Sequence, residues 1–128
     1  MEIKFMAWNK KLKKMWSHEL MKRNAMLALD STLPNKDFLV IPNGEDHILM
    51  QYTGLKDKNG KEGYHHSLIK HESRNQGNPI EIVWDDGSWK GRYCGSRFSG
   101  FVLNQWEMNQ AEIIGHIYEN PELLNEKP

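Results

Sequence analysis

The sequence predicts a mainly β fold, a β-rich α+β chain arranged as a small antiparallel barrel or rolled sheet built from hairpins, with one or two short helices. Three observations carry this. Apolar side chains recur at every second position in several short runs, at residues 2–8, 48–53, 80–84 and 111–118, the spacing of a half-buried strand. Turn-forming tetrapeptides separate such runs, Asp57-Lys58-Asn59-Gly60 and Asp85-Asp86-Gly87-Ser88 being the clearest. Strands do not alternate with long helical segments, which argues against a doubly wound α/β domain.

In chain order, Ile3, Phe5 and Ala7 alternate with Lys4, Met6 and Trp8 as a strand. Asn9-Lys10-Lys11-Leu12-Lys13 follows as a charged turn, and Lys14-Met15-Trp16 returns as a short strand. Residues 17–29 form the best helix candidate. Ser17 is placed to cap it, Glu19 sits in the first turn, and Leu20, Met21, Ala25, Ala28 and Leu29 share a face. Residues 30–35 break this pattern. Phe38-Leu39-Val40-Ile41 is a short apolar strand, closed by the turn chemistry of Pro42-Asn43-Gly44-Glu45, and His47 opens the next strand.

The Asp57–Gly60 turn has Asp first and Gly fourth, which suits a type I turn followed by a glycine of positive φ that closes a hairpin through a bulge. A two-residue Asn59-Gly60 turn would set Lys58 against Lys61, and like charges directly opposite are unfavourable. The predicted hairpin runs from about residue 47 to residue 70. Residues 72–79 form a polar surface loop with Gly and Pro.

A second hairpin follows, with Asp86-Gly87 as its two loop residues. That register sets Trp84 opposite Trp89, Val83 opposite Lys90, Ile82 opposite Gly91, Glu81 opposite Arg92 and Ile80 opposite Tyr93. The apolar residues then share one face, and Glu81 and Arg92 form an opposite-charge pair on the other. A slip of one residue would destroy both features. Residues 94–97 form a bend, 98–105 a strand, 106–110 a short helical turn and 111–118 a final strand. Asn120 and Pro121 mark the start of a last helix.

The length of 128 residues fits one domain, residues 1–128. The only cysteine is Cys94, so no internal disulfide forms and a reducing cytoplasm is expected. No apolar run suggests a signal peptide, and none approaches the ~20 residues of a membrane helix. The formal net charge is zero, against a strong sequence-blind nucleic-acid binder, though a local basic patch is compatible with it.

Reactive constellations are scarce. Placed on one strand, His65 and His66 point to opposite faces, and His65 and His71 lie roughly 20 Å apart. No HExxH or CxxC spacing occurs, so neither a metal nor any other cofactor is expected. Asp85 and Asp86 are turn formers before Gly87, Cys94 has no base placed beside it, and Gly95-Ser96-Arg97-Phe98-Ser99-Gly100 lacks the ending of a phosphate loop. Lys10, Lys11, Lys13 and Lys14 read either as a solvated hairpin tip or as a phosphate-binding patch. The aromatics Trp8, Trp16, Tyr52, Tyr64, Trp84, Trp89 and Tyr93 lie on strands near Lys and Arg. They either build the core or stack bases in a basic groove, and an aromatic left outside the core favours the second.

Three blocks, Glu2-Ile3-Lys4-Phe5-Met6-Ala7-Trp8-Asn9-Lys10, residues 49–62 (Leu-Met-Gln-Tyr-Thr-Gly-Leu-Lys-Asp-Lys-Asn-Gly-Lys-Glu) and residues 113–124 (Ile-Ile-Gly-His-Ile-Tyr-Glu-Asn-Pro-Glu-Leu-Leu), resemble the YopX family of phage and prophage proteins. Val83-Trp84-Asp85-Asp86-Gly87 is similar as well. The resemblance covers about half the chain and implies a small β-rich protein without an assigned activity. The family pattern has Arg where Met6 stands and Asp where Asn9 stands. After Tyr64 it reads Glu-Gly-Asp-Ile-Val, where this chain has His65-His66-Ser67-Leu68-Ile69, so a functional carboxylate there has no counterpart.

Together these readings favour a non-enzymatic binding or assembly module in the host cytoplasm, acting on a phage or host protein or on single-stranded nucleic acid, with no membrane. Lys10, Lys11, Lys13, Lys14 and Arg92 would contact phosphate. A small metal-dependent hydrolase is the alternative. An unpaired edge strand would allow a homo-oligomer.

Overall fold

The computed structural model describes residues 4–21, 47–98 and 100–125. Over these the chain is mainly β and antiparallel, as the alternating pattern predicts. It divides into two units, one of residues Lys4–Met50 and the other running from Gln51 onward.

In the first unit, β1 (Phe5–Asn9) pairs with β2 (Lys14–Trp16), Ala7 opposite Trp16 and Asn9 opposite Lys14. The turn between them is built by Asn9, whose Oδ1 accepts the N–H groups of Lys11 and Leu12 at 3.0 and 2.9 Å. Residues 18–21 are helical. Ser17 caps them as expected, its Oγ accepting the Leu20 N–H at 3.1 Å. The rest of that predicted helix, the strand at 38–41 and the turn at 42–45 lie outside the described residues.

The strand β3 (His47–Lys56) passes from the first unit into the second, where it pairs with β4 (Glu62–Tyr64). The turn is the predicted type I turn with a bulge. Gly60 donates to the Asp57 carbonyl at 3.0 Å with φ 81°, and Asp57 N–H donates to Lys61 at 2.8 Å. The Asp57 carboxylate is buried and does more than form a turn. Its Oδ1 accepts from Asn59 and Lys61, and its Oδ2 accepts the Ile113 N–H at 2.8 Å, 56 residues away. Beside it Lys58 N–H donates to the Ala111 carbonyl. The hairpin thereby covers an edge that would otherwise present unpaired groups. Asp57→Ala should cost about 2–3 kcal/mol in urea unfolding, because it strands three N–H donors, one of them buried. Asp57→Asn should recover part of that, since an amide can accept at only one of the two positions.

The predicted hairpin arm reaching residue 70 is not continuous. It breaks at His65–His66, where His66 has φ 72° and donates its N–H to the Ile82 carbonyl. The Ser67 hydroxyl closes the bend by accepting the Tyr64 N–H at 3.0 Å. The chain then enters a second sheet as β5 (Ser67–His71).

That sheet has five strands in the order β8-β7-β6-β5-β9, with β6 at Ile80–Asp85, β7 at Ser88–Tyr93, β8 at Phe101–Val102 and β9 at Ala111–His116. The β6–β7 pairing is the predicted register at every position from Ile80 opposite Tyr93 to Trp84 opposite Trp89. Asp86 and Gly87 both have positive φ, the two-residue turn whose twist suits a hairpin. One face carries the core of Ile69, Ile80, Ile82, Leu103, Met108, Ala111 and Ile113, against which Leu55, Trp89, Tyr93 and Phe101 pack. Each fully buried Ile contributes roughly 1.5–3 kcal/mol. A Cβ at Gly91 would fall within the Phe101 ring, so the space beside Ile82 serves an aromatic side chain of the neighbouring strand.

The strand predicted at 98–105 is confined to β8. A short helix (Gln105–Met108) follows, capped by Asn104, whose side chain accepts the Glu107 N–H at 2.9 Å. The final strand ends at His116. The segment Pro121–Asn125 is a 3-10 helix, and Asn120 directs its Oδ1 to the His116 N–H instead of capping it.

Candidate functional site

The outer face of the five-stranded sheet carries the Glu81–Arg92 pair that the register predicts. Arg92 Nη2 donates to Glu81 Oε1 at 2.8 Å. A third partner appears at the His65–His66 bend, where His66 Nδ1–H donates to Glu81 Oε2 at 2.6 Å. Burial of Glu81 opposes its ionisation, yet the hydrogen bonds from His66 and Arg92 outweigh it and hold the carboxyl below its ordinary range.

Because the chain bends there, His65 and His66 do not point to opposite faces. Their rings stack at 3.8 Å with 13° between planes. His116 joins them, its Nε2–H donating to the His65 carbonyl at 3.1 Å while its Nδ1 accepts the Tyr118 N–H at 3.2 Å. Both nitrogens are thus satisfied in the neutral ring. Burial is the main cause that lowers His116 to about 4, and burial followed by the charge of His66 lowers His65 to about 4. Cys94 is half-buried, and burial, then the charge of Glu81, raises its thiol. It is therefore no ready thiolate.

A second cluster lies on the core side. The buried Glu107 accepts from His71 Nε2–H at 2.9 Å and from Arg74 twice, at 3.1 Å from Nε and 2.6 Å from Nη2. The Ser73 N–H donates to His71 Nδ1 at 3.1 Å, which assigns the ring proton to Nε2. The same contact fills the lone pair that a Ser73 hydroxyl would need for activation, and the Ser73 Oγ stands off at 3.4 Å. The Arg74 guanidinium lies 4.0 Å over the Phe101 ring. The Arg74 hydrogen bonds are the main cause that holds the Glu107 carboxyl low. The sequence raises His71 only as a candidate metal ligand with His65, and its pairing with Glu107 is not visible there, because 36 residues separate them. The one available signal was a carboxylate set between Trp106 and Met108.

A third feature is at the tip of β6 and β7. Trp84 is 54% exposed, and its indole meets Trp89 edge to face at 5.1 Å. A cavity of about 160 Å³ at the same hairpin is lined by Val83, Trp84, Asp85, Arg92 and Arg97, while strand alternation turns the Trp84 indole to the face opposite Val83, Asp85 and Arg92. Of the aromatics considered from sequence, Trp8, Tyr52 and Tyr64 are buried, Trp16, Trp89 and Tyr93 half-buried, and Trp84 alone is left outside the core. Arg97 had no sequence signal beyond its place in the 94–97 bend.

Of the predicted phosphate contacts, Lys10, Lys11, Lys13 and Lys14 are all exposed in or beside the turn of the first unit. Arg92 belongs to the second unit, where it shares the cavity with Arg97. Among the described residues, no three His, Cys, Asp or Glu side chains are placed to hold one metal ion, and no helix is long and apolar enough to cross a membrane.

No curated protein matches the sequence. Two crystal structures share the fold. Protein EF1440 from Enterococcus faecalis has a TM-score of 0.65 at 22% identity, with 97% of this chain and 99% of that chain covered. Protein yopX from Bacillus subtilis has a TM-score of 0.54 at 20% identity, with 94% of this chain and 96% of that chain covered. The family described as YopX protein matches residues 4–125, both arms of the β6–β7 hairpin and the His65–His66 bend included. The chain belongs to the YopX family.

Proposed function

We propose that this is a phage- or prophage-encoded, non-enzymatic binding module that works as one domain in the host cytoplasm, with single-stranded nucleic acid as its partner. The observation that carries the reading is the exposed indole of Trp84 at the tip of the β6–β7 hairpin, a strand pair whose opposite face carries Arg92. Small β folds hold single strands by stacking bases on such rings while cations track the backbone. Lys10, Lys11, Lys13, Lys14 and Arg92 supply the phosphate contacts in this reading. The ionisable groups that would serve catalysis are taken up elsewhere, Glu81 by His66 and Arg92, and Glu107 by His71 and Arg74. A protein partner is the second reading, favoured by the exposed Phe98, Val102 and Trp106.

Fluorescence anisotropy with a labelled oligo(dT) tests the first reading. Binding should appear at low ionic strength and weaken with salt, and each phosphate contact removed by Lys→Ala at positions 10, 11, 13 or 14 should reduce the log–log salt slope by about 0.7. Absence of salt-dependent binding at low ionic strength rejects it.

A further inference from the structure

We infer that Asn59 is a latent modification site, a centre of spontaneous deamidation that the Asp57 turn holds closed until the hairpin lifts from β9.

The chemistry starts from the sequence. Asn59 is followed by Gly60, and a glycine has no side chain to hinder its own nitrogen. Once its proton passes to a solvent base, the Gly60 amide nitrogen attacks the Asn59 side-chain Cγ. A C–N bond closes a cyclic imide, the Cγ–Nδ2 bond breaks and ammonia leaves with a proton. Water then opens the ring at either carbonyl and leaves aspartate or isoaspartate at position 59. Water is the only co-reactant, and nothing is oxidised or reduced. Both residues are exposed, so water and base reach them.

The fold withholds the geometry. One residue takes three successive amides. The Asn59 and Lys61 N–H groups donate to Asp57 Oδ1 at 2.9 and 2.8 Å, and between them the Gly60 N–H donates to the Asp57 carbonyl at 3.0 Å. A type I turn holds its third residue at ψ of about 0°. That aims the Gly60 nitrogen at the Asp57 carbonyl and away from the Asn59 side chain. Attack needs this peptide to rotate, and rotation breaks the Gly60 hydrogen bond. Asp57 is in turn seated on β9, its Oδ2 accepting the Ile113 N–H at 2.8 Å while Lys58 N–H donates to the Ala111 carbonyl at 3.0 Å. Reaction therefore proceeds through the opened turn, at a rate set by the open population.

The coupling runs both ways. Isoaspartate carries the main chain through Cβ and lengthens it by one carbon, so the amides of 59, 60 and 61 no longer meet Asp57 together. Each opening risks a one-way change that leaves the hairpin unseated.

The test incubates the full chain in mildly alkaline buffer and follows each asparagine by peptide mapping, which separates this pair from Asn43-Gly44. Asn59 should react at least about tenfold more slowly in the folded chain than in the same chain unfolded by urea, since each 1.4 kcal/mol of turn closure cuts the open population tenfold. Asp57→Ala should speed the folded-state reaction about tenfold, and Asp57→Asn, which keeps one acceptor, severalfold. The fraction carrying isoaspartate at position 59 should exchange its Ile113 amide faster than the unmodified chain. Equal rates in the folded and unfolded chains overturn the protection. A folded Asp57→Asn chain whose Asn59 reacts at the wild-type rate overturns the role of Asp57, and this variant decides the point even where Asp57→Ala fails to fold. Unchanged exchange at Ile113 in the isoaspartate fraction overturns the link to β9.

Discussion

Replacing Glu107 with Ala should lower the unfolding free energy by about 3 kcal/mol. The carboxylate is 6% exposed and receives three N–H donors from two side chains. Its removal leaves His71 Nε2–H buried without an acceptor and Arg74 without the carboxylate that orients it over Phe101. Both partners come from the segment around the end of β5, so the loss should also loosen the 72–79 loop, readable as faster amide exchange there. Glu107→Gln should cost less, because one amide oxygen still accepts, but it places an amide donor against the remaining N–H. A Glu107→Ala chain that unfolds at the wild-type urea midpoint would show that the cluster contributes nothing.

Acid should destabilise the protein between about pH 6.5 and pH 4, through the imidazoles at the His65–His66 bend. His65 and His116 take up a proton near 4 in the folded chain and near 6.5 when unfolded. Between those values the unfolded chain binds more protons, so stability is full above about pH 6.5 and is lost progressively on acidification. His116 is 4% exposed, and its share of the loss is about 3 kcal/mol. His65 is half-buried and adds a smaller amount. Among the described residues, the groups facing these rings are His66, Glu81, Arg92, Trp89 and Tyr118, with Glu81 the carboxylate that offsets the gathered positive charge. Below pH 4.5 the Glu81 and Glu107 carboxyls, both held low in the fold, add their own loss as they protonate. His116→Gln removes one of the titrating groups and should flatten the limb between pH 6.5 and 4. Urea midpoints unchanged across that range would contradict the assignment.

What the sequence revealed divides along a physical line. The β6–β7 register was legible because a two-residue Asp86-Gly87 turn, five apolar positions and the Glu81–Arg92 pair all agree on one alignment, and a slip would violate them together. The Asp57 turn was legible for the same local reason, the Lys58–Lys61 repulsion excluding its rival. The His65–His66 bend was not. It depends on a histidine at φ 72°, which no turn signal marks, and on Ser67 and Ile82 to close it. Read as one strand, that segment separates the two imidazoles; bent, it stacks them. The long-range roles of Asp57 on Ile113 and of Glu107 on His71 and Arg74 were likewise hidden, since nothing local in the residues of a turn or a short helix names a partner more than 30 positions away. For the candidate site, the alternation placed Trp84 on the apolar face of its hairpin, but only the packed sheet shows that this face runs out of core before reaching it.

The most direct experiment follows the five tryptophan indole N–H signals in a proton–nitrogen correlation spectrum as oligo(dT) is added at low ionic strength. The Trp84 indole should shift from the first addition, in step with the anisotropy curve, while the buried Trp8 indole stays in place. An oligonucleotide that binds without moving Trp84 would contradict the account.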